Sequence, residues 1–331
     1  MQEEILYKWN YDDFKDKKFK IPKLNMPWDY KFSPYFEEIS LENREWIKGT
    51  KLISEESDFE KFVYLKTILM NSYLYPHCNK EVFRYINRLN EYIYIVDDFY
   101  LEDNVKGQEW VDELFDRNSK FVKENYIGSI MWEIFDDIIS VGNDGATDYL
   151  IKKTHEWMDS VILFNSKKVN SKFTFEEYTN SRGVDVGMIF GLACTKVHIP
   201  PLCDEIENHP VYIDMLANYY NPIHLLINDI YSFNKETKSV RLGNYVKIAA
   251  YQLGSIQLAM DHLSKLFDEY IGKIQEKFAE LEKIFPNNKD LETHLYIIKT
   301  IIACNFNCST NPNYPRYYGE VLEAELKIIN E

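Results

Sequence analysis

Long stretches of helical periodicity, interrupted by few Gly or Pro residues, constrain this chain most. The 331 residues contain only 12 Gly and 11 Pro, and apolar positions recur at i, i+3, i+4 and i+7 through segments of roughly 15 to 25 residues. Alternating apolar and polar runs bounded by turns are scarce, and no hairpin dipeptide joins two apolar runs. The pattern predicts one all-α domain of ten or more helices.

Two helical faces precede the first segment of chemical interest. One runs from Phe59 to Leu69, with Ser57 as its N-cap, and the other runs from Val82 to Val96 and continues directly into Asp97. Further helices are predicted for residues 108–123, 126–141, 146–166, 174–197, 211–236, 242–284, 288–306 and 318–330. One break is expected inside the long segment 242–284.

The first part of the chain has a different pattern. Pro22, Pro27 and Pro34 cluster there, and proline removes a backbone donor and interrupts helices. We therefore predict an N-terminal arm over residues 1–50, irregular at its start and packed on a main helical domain over residues 51–331.

Charge and composition exclude several classes of protein. The chain carries 53 acidic and 38 basic side chains, a formal charge of −15, and no basic stripe, so we predict no nucleic-acid partner. A hydrophobic content of 45% is too high for a disordered chain. The acidic opening is unlike a signal peptide, and no run approaches the roughly 18 apolar residues of a membrane span. We expect a cytoplasmic protein that meets polyanions only through metal cations.

The cysteines fit a reducing compartment. There are five, an odd number, and they are scattered, which argues against a disulfide framework. Cys304 and Cys308 lie four positions apart, but no second Cys or His pair stands nearby at zinc spacing. We interpret both as packing thiols, and the seven His residues likewise show no metal-ligand or triad spacing.

An acidic cluster ends the helix that runs into Asp97. Asp97, Asp98, Glu102 and Asp103 repel one another, and the apolar helix before them leaves the repulsion poorly screened. Divalent cations would relieve it, because Mg²⁺ prefers hard oxygen ligands. In an α-helix Asp98 and Glu102 would share a face, with Asp97 turned about 100° away. A solvated surface cluster is the alternative.

A second constellation lies in the segment 211–236. Asn228, Ser232 and Glu236 stand at i, i+4 and i+8, so a helix turns all three to one side. Helical side chains tilt toward the N-terminus, which lets the long Glu236 side chain reach back toward Ser232. Amide, hydroxyl and carboxylate oxygens together would hold a cation and leave it electrophilic toward an anionic ligand. An amphipathic surface helix is the alternative.

The third feature is Arg316 followed by Tyr317, after a loop rich in Pro and Asn. Arg suits bidentate contact with phosphate oxygens, and a basic residue that starts the final helix is the alternative. In this order, the three features resemble the class I terpene synthases of microbial type. The resemblance covers roughly residues 55–320, and the abundance of Lys, Asn, Ile and Tyr leans toward the social-amoeba branch.

The resemblance implies a single-domain α-helical bundle with a central active-site cavity, whose catalytic domain would be residues 51–331. It also implies three Mg²⁺ ions and a prenyl diphosphate substrate, and it leaves the oligomeric state open, with a homodimer among the alternatives. Asp97 would bridge two of the ions, while Asn228, Ser232 and Glu236 would hold the third. The implied diphosphate ligands are Arg182, Lys235, Arg316 and Tyr317.

Other residues take supporting roles in the same resemblance. Arg182 stands about 46 residues before the second constellation, where the family has a diphosphate-sensing Arg, and Asp185 stands where it often has a linking acid. Asp98 would help orient the basic anchors. Tyr94, nearly one turn before the acidic cluster, is the best candidate for a ring that stabilises a carbocation. Weaker candidates are Phe62, Tyr92, Phe190 and Phe306.

The chain departs from the family's pattern at three places. Leu101 replaces the third acid of the commonest Asp-rich motif, so Glu102 or Asp103 would substitute for it or do nothing. Residues 307–310 stand where the family often carries a Trp. Val186 stands where a small residue often offers its backbone carbonyl to the reacting chain.

Three functions are consistent with these features. The first is a Mg²⁺-dependent terpene cyclase, a carbon-oxygen lyase that converts farnesyl diphosphate, the common substrate of single-domain members, to a sesquiterpene. The second is a chain-elongating isoprenyl diphosphate synthase, although such enzymes usually carry a second Asp-rich motif in place of Asn228 to Glu236. The third is a non-catalytic all-α interaction module. The product, and its quenching by water or by deprotonation, stay undetermined.

Overall fold

The computed structural model describes residues 5–6, 10–13, 17–64, 67–101, 107–143, 145–166, 172–173, 175–237, 243–311 and 314. Helices dominate these residues, which confirms the all-α prediction. Strands within the described ranges are limited to one antiparallel pair, β1 (Ile5–Leu6) and β2 (Lys172–Phe173). None of the described helices combines the length and the apolar character that crossing a membrane requires.

Sixteen α-helices lie in the described part of the chain. In chain order they are α1 (Phe36–Thr50), α2 (Glu56–Tyr64), α3 (Thr67–Leu74), α4 (Lys80–Val96), α5 (Gln108–Phe115), α6 (Lys120–Glu124), α7 (Tyr126–Val141), α8 (Ala146–Ser166), α9 (Phe175–Asp185), α10 (Met188–Lys196), α11 (Asp204–Glu207), α12 (Pro210–Met215), α13 (Asn221–Glu236), α14 (Tyr245–Leu253), α15 (Ile256–Ile284) and α16 (Lys289–Thr310). Two π-helical turns, Asp97–Leu101 and Leu216–Tyr220, follow α4 and α12.

The chain forms two compact units. The first comprises residues 1–29, 163–188 and 202–331, and the second comprises residues 30–162 and 189–201. In the first unit α13 packs against α9, α14, α15 and α16, and in the second unit α4 packs against α1, α3 and α7. These two central helices carry or precede the acidic motifs of the sequence.

Several predicted helix boundaries are confirmed. Helices α7 and α8 coincide with the predicted segments 126–141 and 146–166. The break expected in 242–284 lies at Gly254, which has a left-handed φ of 69° and ends α14. Glycine tolerates this conformation because it has no Cβ. Ser255 then accepts a hydrogen bond from the backbone N–H of Leu258 and starts α15.

Other boundaries were predicted wrongly. Ser57 lies within the first turn of α2 and is not its N-cap, because helical hydrogen bonding already starts at the carbonyl group of Glu55. The predicted helix over 108–123 is two helices, α5 and α6, because the side chain of Ser119 caps the start of α6. Sequence periodicity continues across this junction and therefore does not reveal it.

The predicted helix over residues 174–197 is also interrupted. Helix α9 ends at Asp185 and α10 begins at Met188, and Gly187 between them has a left-handed φ of 79°. That conformation ends α9 about one turn after Arg182. The predicted helix over 318–330 lies outside the described residues.

Phe19 and Trp28, near the start of the chain, pack on helices of the first unit. The ring of Phe19 is buried and lies edge-on to Phe233 of α13, with centroids 5.4 Å apart, and Trp28 contacts Phe278 of α15. Helix α1 was not predicted, although its buried positions recur at every fourth residue: Ile39, Asn43 and Ile47. The division of the chain at residue 50 stays a prediction.

Candidate metal and diphosphate site

In the second unit, the acidic cluster begins where α4 changes to a π-helical turn. Asn79 caps α4 by accepting a hydrogen bond from Val82 N–H, and the helix buries its apolar face up to Val96. Residues Asp97–Leu101 then form one turn of π-helix, a distortion that is frequent at functional sites. Asp97 and Asp98 are both half-buried.

The described part of this cluster, Asp97 and Asp98, lies in a π-helical turn in place of an α-helix. The shared face expected for Asp98 and Glu102 stays a prediction. The backbone N–H of Asp97 is shared between the carbonyl groups of Ile93 and Tyr94. Glu102 and its neighbour Asp103 lie outside the described residues, so their roles stay predictions.

The aromatic candidates differ in exposure. Tyr94 is half-buried on α4, whereas Tyr92 is wholly buried, and Phe62 and Phe190 are buried as well. In the first unit, half-buried Phe306 lines a cavity of about 470 Å³ together with residues 23–27 of the arm and two residues of α15. Of these aromatic candidates, Tyr94 and Phe306 are therefore the two that are only half-buried.

In the first unit, α13 carries Asn228, Ser232 and Glu236. Ser232 is 1% exposed, and Asn228 and Glu236 are half-buried. Asn244, which precedes α14, contacts two of them, because its Nδ2 lies 3.1 Å from Glu236 Oε2 and 3.5 Å from Ser232 Oγ. The hydroxyl group and the carboxylate thus approach the same amide group.

Arg182 of α9 binds the start of this constellation. Its Nη2 donates to Asn228 Oδ1 at 2.8 Å and to Asp229 Oδ1 at 3.1 Å, and its Nη1 pairs with Asp185. The side chain is only 11% exposed. A guanidinium group presents five donors in a fixed plane, so Arg182 links two carboxylates and one amide oxygen at once.

Asp229 is a buried residue of this site for which the sequence predicted no role. Its side chain is wholly buried and accepts hydrogen bonds from the Tyr178 hydroxyl at 2.9 Å and from Tyr245 N–H at 2.6 Å, besides those from Arg182. Asp229 therefore joins α9, α13 and the start of α14. Its place directly after Asn228 in the motif is the signal that could have indicated it.

Among the described residues around Arg182, three acidic groups, Asp185, Asp229 and Glu236, interact with two basic groups, Arg182 and Lys247. Burial raises the pKa of Asp229 to about 6, which Arg182 opposes and Glu236 strengthens, and burial likewise raises the pKa of Asp185. Burial lowers the pKa of Lys247 to about 8, against the attraction of Glu236 and Asp229. For Arg182 burial acts in the same direction, but Asp229 and Asp185 outweigh it and raise its pKa. A bound cation would relieve this excess of negative charge.

The remaining candidates contribute less to the described geometry. Val186 lies in the turn between α9 and α10, where its N–H donates to the carbonyl oxygen of Arg182 at 2.9 Å. Lys235 is exposed near the end of α13. Arg316 and Tyr317 lie outside the described residues, so their contact with diphosphate stays a prediction.

The second unit contains a further group of ligand-type side chains. Asp112 of α5 and His155 and Asp159 of α8 each place one ligand atom within 4.8 Å of the others. Gln108 Nε2 donates to both carboxylates, at 3.0 and 2.6 Å, and His155 Nε2 lies 3.5 Å from each. The i, i+4 spacing of His155 and Asp159 places both on one face of α8 and could have indicated this group from the sequence.

The donor set on α13 suits a hard divalent cation. Asn228, Ser232 and Glu236 offer amide, hydroxyl and carboxylate oxygens, which are ligands for Mg²⁺ rather than for the zinc sites built from Cys and His. Arg182 uses one lone pair of Asn228 Oδ1, and an amide oxygen has two. Asn244 holds the other two side chains near each other. The residues present therefore fit the metal that the resemblance implies.

Comparison with known proteins identifies the family. A family model described as terpene synthase family 2, C-terminal metal binding, matches residues 88–273, which include the acidic cluster, Arg182 and the α13 constellation. A protein of Dictyostelium purpureum named terpene synthase 7 is 69% identical, with 99% of this chain and 100% of its own length aligned. This chain therefore belongs to the terpene synthase family, whose members are lyases that act on prenyl diphosphates.

Two more distant proteins extend the comparison. Sesquiterpene synthase 14 of Postia placenta is 25% identical, with 89% of this chain and 86% of its own length aligned. Hedycaryol synthase in complex with nerolidol superimposes with a TM-score of 0.71 at 17% identity, over 87% of this chain and 98% of that one. The second comparison shows the class I terpene synthase fold. The metal-binding family model implies that the chain binds a divalent metal.

Proposed function

We propose that this terpene synthase is a Mg²⁺-dependent cyclase that converts farnesyl diphosphate to a sesquiterpene. Its resemblance to a relative named as a sesquiterpene synthase supports the choice of substrate. The observation that carries the proposal is the contact of Arg182 with both Asn228 and Asp229, at 2.8 and 3.1 Å. Through that contact, the buried guanidinium group of Arg182 lies directly beside a proposed Mg²⁺ ligand. Arg182 is also the residue that the resemblance identifies as the diphosphate sensor.

The metal ligands of the proposal come from the two motifs. Asp97 would bridge two Mg²⁺ ions, and Asn228, Ser232 and Glu236 would hold a third. When bound, these ions neutralise the leaving diphosphate and so lower the barrier to breaking its bond to carbon. Asp98 would orient the basic groups, and Glu102 would assist if it takes the place of the missing third acid.

Basic side chains would bind the diphosphate itself. The residues assigned to this role are Arg182, Lys235, Arg316 and Tyr317. Arg182 is suited to it because burial strengthens each charge-assisted hydrogen bond that its planar group makes. Asp185 would hold Arg182 in place, and Val186, in the adjacent turn, would face the reacting chain with its backbone carbonyl.

The reaction needs no protein nucleophile. The C–O bond breaks with both electrons leaving on diphosphate, and the allylic cation then cyclises until water adds or a proton is lost. The ring face of Tyr94 would stabilise the cation through its quadrupole, by about 2 kcal/mol or more in a desolvated site. Exclusion of water when the site closes would protect the cation until the last step.

Incubation with each prenyl diphosphate tests the proposal. Purified protein with Mg²⁺ is supplied with geranyl, farnesyl or geranylgeranyl diphosphate, and products are identified by gas chromatography and mass spectrometry. We expect diphosphate release and a sesquiterpene from farnesyl diphosphate. Release from none of the three would refute the function, and preference for another chain length would refute the substrate. Longer diphosphates formed on addition of isopentenyl diphosphate would show a chain-elongating synthase instead.

A further inference from the structure

Asn244 occupies an unusual place beside α13. Its side chain is wholly buried, and its Oδ1 accepts a hydrogen bond from Val246 N–H at 2.9 Å, which caps α14. Its Nδ2 donates to the backbone carbonyl of Asp229 at 2.8 Å and to Glu236 Oε2 at 3.1 Å, and lies 3.5 Å from Ser232 Oγ. One amide group therefore contacts two of the three proposed ligands of the third cation.

We propose that Asn244 is a positioning residue that aligns Glu236 and Ser232 for the third Mg²⁺ ion. The inference rests on the proposed function, because it takes the α13 side chains as metal ligands. It adds a residue outside the motif, the N-cap of α14, to the residues that determine metal affinity.

The chemistry of the side chain explains why an Asn is needed. Capping α14 requires only an acceptor oxygen, which Ser, Thr or Asp would supply about as well. Holding Glu236 requires a donor at the same time. Ionised Asp has none, and Ser and Thr carry donor and acceptor on one oxygen of a shorter side chain, whereas Asn carries them on two separate atoms. The carbonyl of Asp229 takes one of the two Nδ2 hydrogens and orients the other toward Glu236. Asn244 is thus fixed from two sides.

Glu236 has reason to be held in this way. It is the last residue of α13, where a long side chain has considerable rotamer freedom. Among the described residues, two charges attract it, Arg182 and Lys247, and two repel it, Asp229 and Asp185. Mg²⁺ demands near-octahedral ligands at about 2.0–2.1 Å, so a carboxylate drawn toward a neighbouring cation would bind it poorly. The amide of Asn244 carries no charge, so it orients the Glu236 carboxylate without neutralising the negative charge that attracts Mg²⁺.

The test compares two N-cap residues. Asn244→Ser keeps an oxygen for the α14 cap, but its shorter side chain does not reach Glu236. Asn288→Ser is the matched control, because Asn288 caps α16 through the same kind of hydrogen bond, from Leu291 N–H at 2.9 Å. The readout is the Mg²⁺ concentration that half-saturates binding of inorganic diphosphate, measured by calorimetry and by the shift in Tm.

Loss of a residue that orients a metal ligand typically weakens metal binding 10- to 100-fold. We expect a shift of about that size in the Mg²⁺ midpoint for Asn244→Ser, none for Asn288→Ser, and recovery of turnover at saturating Mg²⁺. If Asn244→Ser does not fold, Asn244→Thr serves, with the same expectation.

An unchanged Mg²⁺ midpoint in a folded Asn244 variant would overturn the positioning role and leave the proposed function intact. A lower Tm without a shifted midpoint would assign Asn244 to helix capping alone. If the wild-type protein binds no diphosphate in the presence of Mg²⁺, both the proposed function and this inference fail.

Discussion

Shortening Glu236 by one methylene group is the most informative single perturbation of the α13 constellation. Glu236→Asp keeps the charge but withdraws the carboxylate by about 1.5 Å, the length of one C–C bond. The hydrogen bond from Asn244 Nδ2 to Glu236 Oε2, 3.1 Å in the wild-type protein, is then out of range. Mg²⁺ ligands must lie at about 2.0–2.1 Å, so a displacement of this size removes the carboxylate from the coordination shell.

The size of the effect follows from ligand linkage. Removing a residue that only orients a metal ligand lowers metal affinity 10- to 100-fold. Removing the ligand itself should therefore lower it about 100-fold or more. At a ligand concentration of 100 Kd, binding stabilises the folded state by about 2.7 kcal/mol, and after a 100-fold loss of affinity by about 0.4 kcal/mol. With an unfolding entropy of about 0.7 kcal/mol/K for a chain of this length, the shift in Tm falls from about 4 °C to below 1 °C.

Thermal unfolding with and without Mg²⁺ and inorganic diphosphate measures this difference. Glu280→Asp is the matched control, because Glu280 lies in the same unit on α15, pairs with Lys277 at 3.4 Å and is 48% exposed. Exposed pairs of this kind contribute little to stability, so the control should respond to the ligands as the wild-type protein does. A Glu236→Asp protein that retains the full 4 °C shift would refute the reasoning.

Three further predictions address the neighbouring residues. Arg182→Lys keeps one charge but loses the planar group that contacts Asn228, Asp229 and Asp185, and we expect turnover to fall about 10²- to 10³-fold. Arg44→Lys, in the surface pair with Glu60, should lower turnover no more than about 2-fold, and equal losses in steady-state assays would contradict the role. Gly254→Ala forces a Cβ onto a left-handed φ of 69° and should lower the free energy of unfolding by about 1–2 kcal/mol, whereas Gly272→Ala within α15 should not lower it. Urea unfolding measures both values, and an unchanged free energy of unfolding for Gly254→Ala would contradict the prediction. Burial lowers the pKa of Lys247 from 10.5 to about 8, so above pH 8 the folded state loses this proton before the unfolded state does and stability rises with pH. Lys247→Met avoids burying this charge, so the variant should be more stable than the wild-type protein below pH 8. The difference in unfolding free energy between the two should shrink by up to about 3 kcal/mol toward pH 10, and a difference that stays constant with pH would contradict the lowered pKa of Lys247.

Periodicity predicted most of the fold because most helices bury one apolar stripe. Helices α7 and α8 show this, since their predicted limits equal the observed ones. The errors arose where a local conformation interrupts a continuous apolar pattern. The left-handed φ of Gly187 divides α9 from α10, and Ser119 restarts a helix that periodicity alone would continue.

Some residues of the candidate site could be predicted from the sequence and others could not. Residues of α13 that share a face follow from spacing, so Asn228, Ser232 and Glu236 could be grouped before the fold was known. Asp229 and Asn244 could not, because their roles depend on contacts between helices. Asp229 accepts hydrogen bonds from residues 51 and 16 positions away, and spacing within one helix holds no information on such partners.

Diffraction at a manganese absorption edge tests the central claim most directly. Crystals grown with Mn²⁺ in place of Mg²⁺ and with inorganic diphosphate would reveal each metal ion by its anomalous signal. We predict ions bound by Asp97 and another bound by Ser232 and Glu236, all in contact with the same diphosphate. Ions absent from either motif, or bound there without a shared diphosphate, would contradict it.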